Sequence, residues 1–367
     1  KRALRNKISA CEDNTADSED IRNTPEQDAA LLRRSSLKVS LDARSRVIPD
    51  TTAGNITGKI QGTETDSMIL LSAHYDSYFD GFQDDNAAVT MMLGIARALV
   101  KGGYKPAHTL VFCAMAAEEW GIIDSKYDWS TGAYNQVFRV HPDWQGKVIA
   151  DLNFELPAHA HNTQDAIRCT YEYADFIRQF TDSLTVPKEA YPDGITVLSP
   201  IETWSDDFSM AIAGIPSTVN DFSAGPFMQN YYHSQYDNQD VYQEAVYQFH
   251  HECYLKLIMT IDRLVLPPMN FSNTMNAVAD SIRENALSFA DPEQNSLLRN
   301  LQTITASAEN IYEKICQINA EYATLSDSDA RIAFRHKWEY AGLELLKIFR
   351  KAQDYLVRLN WQDEVIF

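Results

Sequence analysis

Several short apolar runs in this 367-residue sequence end in side chains that bind metal ions. Residues 68–73 lead into His74-Tyr75-Asp76, 109–115 pass through Ala116-Ala117 into Glu118-Glu119, and 147–153 lead to Glu155. Asp84-Asp85-Asn86 stands before one helical run and Tyr232-His233 before another. A single histidine is most often a packed or surface residue, and a Glu-Glu pair is usually solvated. Five such elements falling at strand ends and helix starts make a pattern, and buried carboxylates without a cation cost several kcal/mol each (~3–5). Zn²⁺ takes imidazole nitrogen and carboxylate oxygen, and two ions roughly 3.5–4 Å apart can share one carboxylate. Hydrolysis also needs a base that is not a ligand. Adjacent Glu118 and Glu119 can divide those tasks, because neighbouring side chains leave an extended backbone in opposite directions. In His74-x-Asp76 the aspartate is placed to orient the imidazole.

The elements that must carry these residues follow from hydropathy. Runs 68–73, 109–115, 147–153 and 214–219 read as buried strands, and 86–101, 170–185 and 239–265 as helices. Continuous apolar strands alternating with helices predict an α/β fold, a mostly parallel sheet covered on both faces, with ligands beyond the carboxyl ends of its strands. Pro267-Pro268 ends that pattern, and the rest is predicted helical to the end. Leu297, Leu301, Ile304, Ala308, Ile311 and Ile315 form one heptad stripe; Trp338, Ala341, Leu345, Ile348, Ala352, Tyr355 and Leu359 form another. Two antiparallel helices of a bundle are expected. The first 50 residues are polar and mixed in charge, with a helical patch at 28–34.

Composition narrows the function classes. The formal net charge is −19, with 28 acidic against 12 basic residues in 51–268, and no basic stripe, which excludes nucleic acid as the main ligand. No apolar run reaches the roughly 20 residues of a membrane helix. Five scattered cysteines without a CxxC read as mostly buried small side chains, not a disulfide framework. The start at Lys1, with neither Met nor signal peptide, suggests a trimmed or mature fragment. G-x-S-x-G, P-loop and H-E-x-x-H signatures are lacking. His159-Ala160-His161 suggests a metal site only by composition, and adjacent His250 and His251 on a helix face different directions.

The ordered segments "LLSAHYDSYFDGFQDDNAAV", "TLVFCAMAAEEWGIIDS", "VIADLNFE", "TWSDDFSMAIAGIP" and "YYHSQYD" resemble the co-catalytic zinc exopeptidases, a family of aminopeptidases, glutamate carboxypeptidases and transferrin receptors. The tail joined through "DRLVLPPMNFS" resembles the glutamate carboxypeptidase and transferrin receptor branch, where it supports the catalytic domain and helps build a dimer. The resemblance covers roughly 55–367, and 20–50 faintly resembles the exit from a protease-associated domain. It implies two zinc ions per chain: Asp85 bridging, His74 and Glu155 completing one site, Glu119 and His233 the other. It further implies Glu118 as general base and acid, Tyr232 as the hydrogen-bond donor to the tetrahedral oxyanion, and Asp76 and Asp207 as supports behind the ligands. Two departures touch the site. Glu155 stands where the family has Asp, with Asp151 as a fallback, and Ala87-Ala88-Val89 replaces the usual Ser-Gly. An aromatic-rich stretch from Tyr127 to Trp144 either shapes a substrate pocket or packs on the surface.

The expected organisation is a lead-in over 1–50, a zinc exopeptidase-like three-layer α/β/α domain over 51–268 and a helical domain over 269–367. The expected activity is hydrolysis of terminal peptide bonds, aminopeptidase ahead of carboxypeptidase. A non-catalytic transferrin receptor-like scaffold and a glutaminyl cyclase-like acyltransferase stand as alternatives, separated by metal stoichiometry. A peptide substrate, a homodimer through the C-terminal helices and a location outside the cytoplasm complete the expectations.

Overall fold

The computed structural model describes residues 51–120, 129–157, 162–221, 225–284, 292–356, 358–360 and 364–366, with isolated positions between 42 and 48. The chain divides into two compact units, Lys1–Thr51 and Thr52–Phe367. The lead-in with its helical patch, Tyr127 and the His159–His161 pair lie outside the described residues.

The second unit is built on a seven-stranded sheet: β1 (Ile56–Ile60), β2 (Met68–His74), β3 (Thr109–Met115), β4 (Val148–Asn153), β5 (Asp165–Cys169), β6 (Ile195–Leu198) and β7 (Ser217–Asn220). Their order is β1-β3-β2-β4-β7-β5-β6. β3/β2, β2/β4, β4/β7 and β5/β6 are parallel, whereas β1/β3 and β7/β5 are antiparallel. The sheet is thus mostly parallel, as the buried runs predict. β1, β5 and β6 carry no such run: β1 is largely exposed, and β5 alternates buried and half-buried residues.

Successive side chains point to opposite faces. Ile69, Leu71, Ala73, Leu110 and Phe112 join the larger core, beneath α1 (Ala87–Lys101) and α4 (Glu244–Asp262). α1 docks through Ala88, Met91, Met92, Ile95 and Leu99, one stripe at helical spacing. On the other face Leu70, Val111, Cys113 and Val148 pack with Ala133, Val137, Trp144 and Met210 of α3 (Asp206–Ile212). Trp144 is therefore core, which answers part of the question posed by the aromatic-rich stretch. α2 (Ala174–Asp182) flanks the edge with β6.

After Pro267-Pro268 the described residues form three helices, not two: α5 (Phe271–Glu284), α6 (Pro292–Ala323) and α7 (Ser328–Leu356). The chain does not stay helical, since Arg358–Asn360 pairs antiparallel with Glu364–Ile366. The heptad stripe of α6 is split. Leu301, Ala308 and Ile315 are buried, while Leu297, Ile304 and Ile311 are 48%, 51% and 44% exposed. Ala308, Ile315, Ile318, Leu345, Leu346 and Phe349 enter the larger core.

A polar cluster fastens these helices to the sheet unit. The buried Arg335 guanidinium donates from Nε to Glu64 (2.9 Å) and Tyr322 Oη (2.8 Å), and from Nη1 and Nη2 to the carbonyls of Leu264 and Asp262 (2.8 and 3.0 Å). The Asp262 carboxylate accepts from the amides of Ala107 and His108 and from Tyr104 Oη.

Candidate metal centre

The register of the three central strands sets the site. His74 pairs with Met115 and Ser72 with Asn153, so the chain leaves all three strands at one level. His74 closes β2 and is fully buried. Beyond β3, Ala117 takes a left-handed conformation (φ 57°), turning the chain before Glu118 and Glu119. These two do not diverge as an extended backbone predicts: each brings a carboxylate oxygen within 4.8 Å of a His74 ring nitrogen.

Asp76 acts through two different groups. Its backbone carbonyl lies 2.9 Å from His74 Nδ1, while its carboxylate accepts from the amides of Glu118 (3.2 Å) and Glu119 (3.1 Å). With Nδ1 as the donor, Nε2 keeps its lone pair and faces Asp84 Oδ1 (3.2 Å) and Glu155 Oε1 (3.5 Å). The other Glu155 oxygen accepts from Ser205 (2.9 Å), whose oxygen in turn receives the Asn153 amide. Asp151 points elsewhere, to the Ser72 hydroxyl at 2.7 Å, so Glu155 and not the fallback faces the cluster.

Across the cluster His233 Nε2 lies 3.2 Å from Asp84 Oδ2 and 3.1 Å from Glu119 Oε2. Asp84 therefore stands between the two imidazoles, one oxygen toward each. The expected bridging residue was Asp85, whose Oδ2 in the structure accepts from the His74 amide (3.2 Å) and Oδ1 from the Leu156 amide (3.1 Å). Asp85 Oδ2 is 3.9 Å from His74 Nε2, within reach of that half of the site only. The two aspartates are joined by a cis peptide. Asp237, unnoticed in the sequence, holds this loop by accepting from the amides of Gln83 and Asp84 (2.8 and 3.0 Å).

Asp207 is buried on α3 and outside the cluster; from the "SDDF" block it is Ser205 that touches a candidate ligand. Tyr232 stacks on His233, with centroids 3.7 Å apart. His250 lies in the core 2.9 Å from Tyr191 Oη, and His251 Nδ1 is 3.0 Å from the Tyr247 carbonyl; neither belongs to the cluster.

Electrostatics follow from burying carboxylates beside imidazoles. Burial alone would raise Asp84, but the His233 and His74 imidazoles beside it hold it at about 2. Burial would lower His233, yet Asp84 and Glu119 lift it to about 9. Glu118 rises well above the usual carboxylate range through burial, reinforced by Glu155, Asp206 and Glu119 against the opposing pull of His74. Burial, with Asp84, Glu155, Glu118 and Glu119 nearby, pushes up the Tyr232 phenol, keeping it a donor. His74 Nε2, Asp84 Oδ2 and Glu119 Oε1 are buried with no hydrogen bond. Orphaned lone pairs of nitrogen and oxygen aimed at one another fit divalent cations in a site built for Zn²⁺.

Imidazoles and carboxylates gathered at the carboxyl ends of a mostly parallel sheet form a candidate centre for divalent metal ions. The model of Peptidase family M28 matches residues 55–258, more than half of the chain, and the chain belongs to that family. It is 37% identical over 106 residues to the "Probable glutamate carboxypeptidase" of Arthroderma benhamiae, a match covering 28% of this chain and 14% of that protein. To "Aminopeptidase NAALADL1" of Mus musculus it is 33% identical over 96 residues, 25% of this chain and 12% of the other. The matched stretches are thus a small part of these relatives. Among solved structures it is similar to the Legionella pneumophila LapA aminopeptidase, with 16% identity and a TM-score of 0.44 over 57% of this chain and 54% of that one.

Proposed function

We propose that the chain is a two-zinc exopeptidase, and that it removes residues from the amino end of peptides. The observation that carries this reading is Asp84, with one oxygen toward His74 and one toward His233. His74 and Glu155 would hold one ion and Glu119 and His233 the other, with Asp84 shared. Bound there, zinc supplies Lewis acidity that polarises the scissile carbonyl and acidifies the attacking water. Glu118, raised by burial and not needed as a ligand, accepts the proton from that water and returns it to the departing amine. Tyr232, kept protonated, donates a hydrogen bond to the oxygen on which negative charge grows. Asp76 holds the Glu118 and Glu119 amides, so base and ligand are fixed by one carboxylate.

The charge around the site supports recognition of an amine. Arg168, on β5 near Ser205 and Asp207, lies 3.3 Å from Glu202 and 3.6 Å from Asp221, so two carboxylates already balance it. The identity to a glutamate carboxypeptidase supports a second reading, in which the substrate offers a free carboxylate. Metal analysis with amino-acid anilides and acidic dipeptides, on wild type and Glu118→Gln, tests both. Two zinc ions per chain, anilide hydrolysis and a loss of about 10²–10⁴ in kcat with metal retained in Glu118→Gln are expected. One zinc points to the cyclase chemistry, none to a scaffold, and hydrolysis confined to acidic dipeptides to the carboxypeptidase.

The C-terminal helices carry a further proposal, a homodimer built on α6. Leu297, Ile304 and Ile311 recur every seven residues on one side of a helix whose adjacent stripe is buried, the pattern of a seam with one partner in place and room for another.

A further inference from the structure

A run of aromatic rings leads out of the metal centre. Tyr232 stacks on His233 at 3.7 Å, Tyr78 packs against His233 at 4.5 Å, and Trp120 packs against Tyr78 at 5.2 Å. The Tyr78 hydroxyl donates to the Glu119 carbonyl (3.3 Å), which ties the second ring to the residue next to Trp120. The last ring is open: Trp120 is 57% exposed. Its neighbour in the run, Tyr78, is followed by Phe79, an exposed ring on a left-handed backbone (φ 56°), a conformation that a bulky residue adopts rarely and at functional turns. Isolated exposed aromatics need no explanation, but these rings are contiguous with a candidate ligand and start where the scissile bond must lie.

We propose that Trp120 and Tyr78 form the wall against which the side chain of the substrate's terminal residue packs, so that the site selects aromatic and large aliphatic residues. The inference rests on the exopeptidase reading. An indole face offers a large apolar area with few torsions to freeze, and a ring or branched chain laid on it gains both area burial and aromatic contact. A methyl side chain is too short to reach it. Trp120 is neither an acid–base group nor a metal ligand; it acts on selection, not on the chemical step.

The test uses the zinc-loaded chain with Phe, Leu and Ala anilides. Trp120→Ala is expected to reduce kcat/KM for the Phe and Leu substrates by about five- to tenfold, through KM, and to leave the Ala substrate within about twofold. Zinc content is expected to be unchanged, and Trp120→Phe to recover most of the loss. An equal loss on all three substrates accompanied by lost zinc would show that the ring props His233 instead, and an unchanged Phe/Ala ratio would show that it touches no substrate; either overturns the proposal. If the wild type cleaves nothing, the exopeptidase reading has failed. The wall is then judged by binding of L-phenylalaninol and L-alaninol: tighter binding of the former, lost in Trp120→Ala, supports it, and equal binding overturns it.

Discussion

Asp84 offers one carboxylate oxygen to His74 and the other to His233, whereas Asp85 uses both on backbone amides. The two should respond differently to the same change. Asp84→Asn is expected to lose bound zinc, with activity falling at least about 10³-fold. Asp85→Asn should keep zinc but cost about 1–3 kcal/mol, because one of the two amides it serves loses its acceptor. Metal analysis beside urea unfolding separates the outcomes. Sequence reasoning pointed to His74, Glu118, Glu119, Glu155 and His233 from residue type and strand-end position, and the structure brings these side chains together. It named Asp85 and not Asp84, two residues whose type and position are nearly the same and which only the local backbone turn distinguishes. Ser205 and Asp237 stayed hidden for another reason. Their work is hydrogen bonding to residues 50 and more than 150 positions away, which leaves no local pattern.

At the level of elements, β2, β3, β4 and α1 were legible because full burial writes a continuous apolar run or a helical stripe. β1 and β6 were not, since edge strands need no apolar continuity, and the α6 stripe misled because half of it stays in water. The contact between α5 and the loop before α2 makes a pH-dependent joint. There Glu172 is buried and pushed up to about 6 by desolvation, although Thr274 donates to it. A fold that favours the protonated form is most stable below the ordinary value of 4.5. It loses about 2 kcal/mol as pH rises from 4.5 through 6. Glu172→Gln should flatten that part of the stability–pH profile in urea unfolding and leave the protein more stable near neutrality.

For the whole molecule, the exposed side of α6 carries the proposed dimer. If a second copy covers it, Ile304→Glu with Ile311→Glu should convert a dimer to a monomer in light scattering and leave anilide hydrolysis intact at the zinc centre. An unchanged mass would remove the dimer proposal and leave the catalytic one standing. Among the described residues no helix is long and apolar enough to cross a membrane, so this apolar stripe is not a span. The Arg335 cluster reaches in the other direction, into the sheet unit. Shortening the chain after Pro268 to obtain a minimal catalyst would strip Glu64 of its guanidinium partners, take the Arg335 donors from the Leu264 and Asp262 carbonyls near the end of α4, and uncover the apolar floor now occupied by Leu345, Leu346 and Phe349. Such a truncate would be sticky and poorly folded even with every candidate metal ligand in its sequence, so the helices belong to the smallest piece worth making.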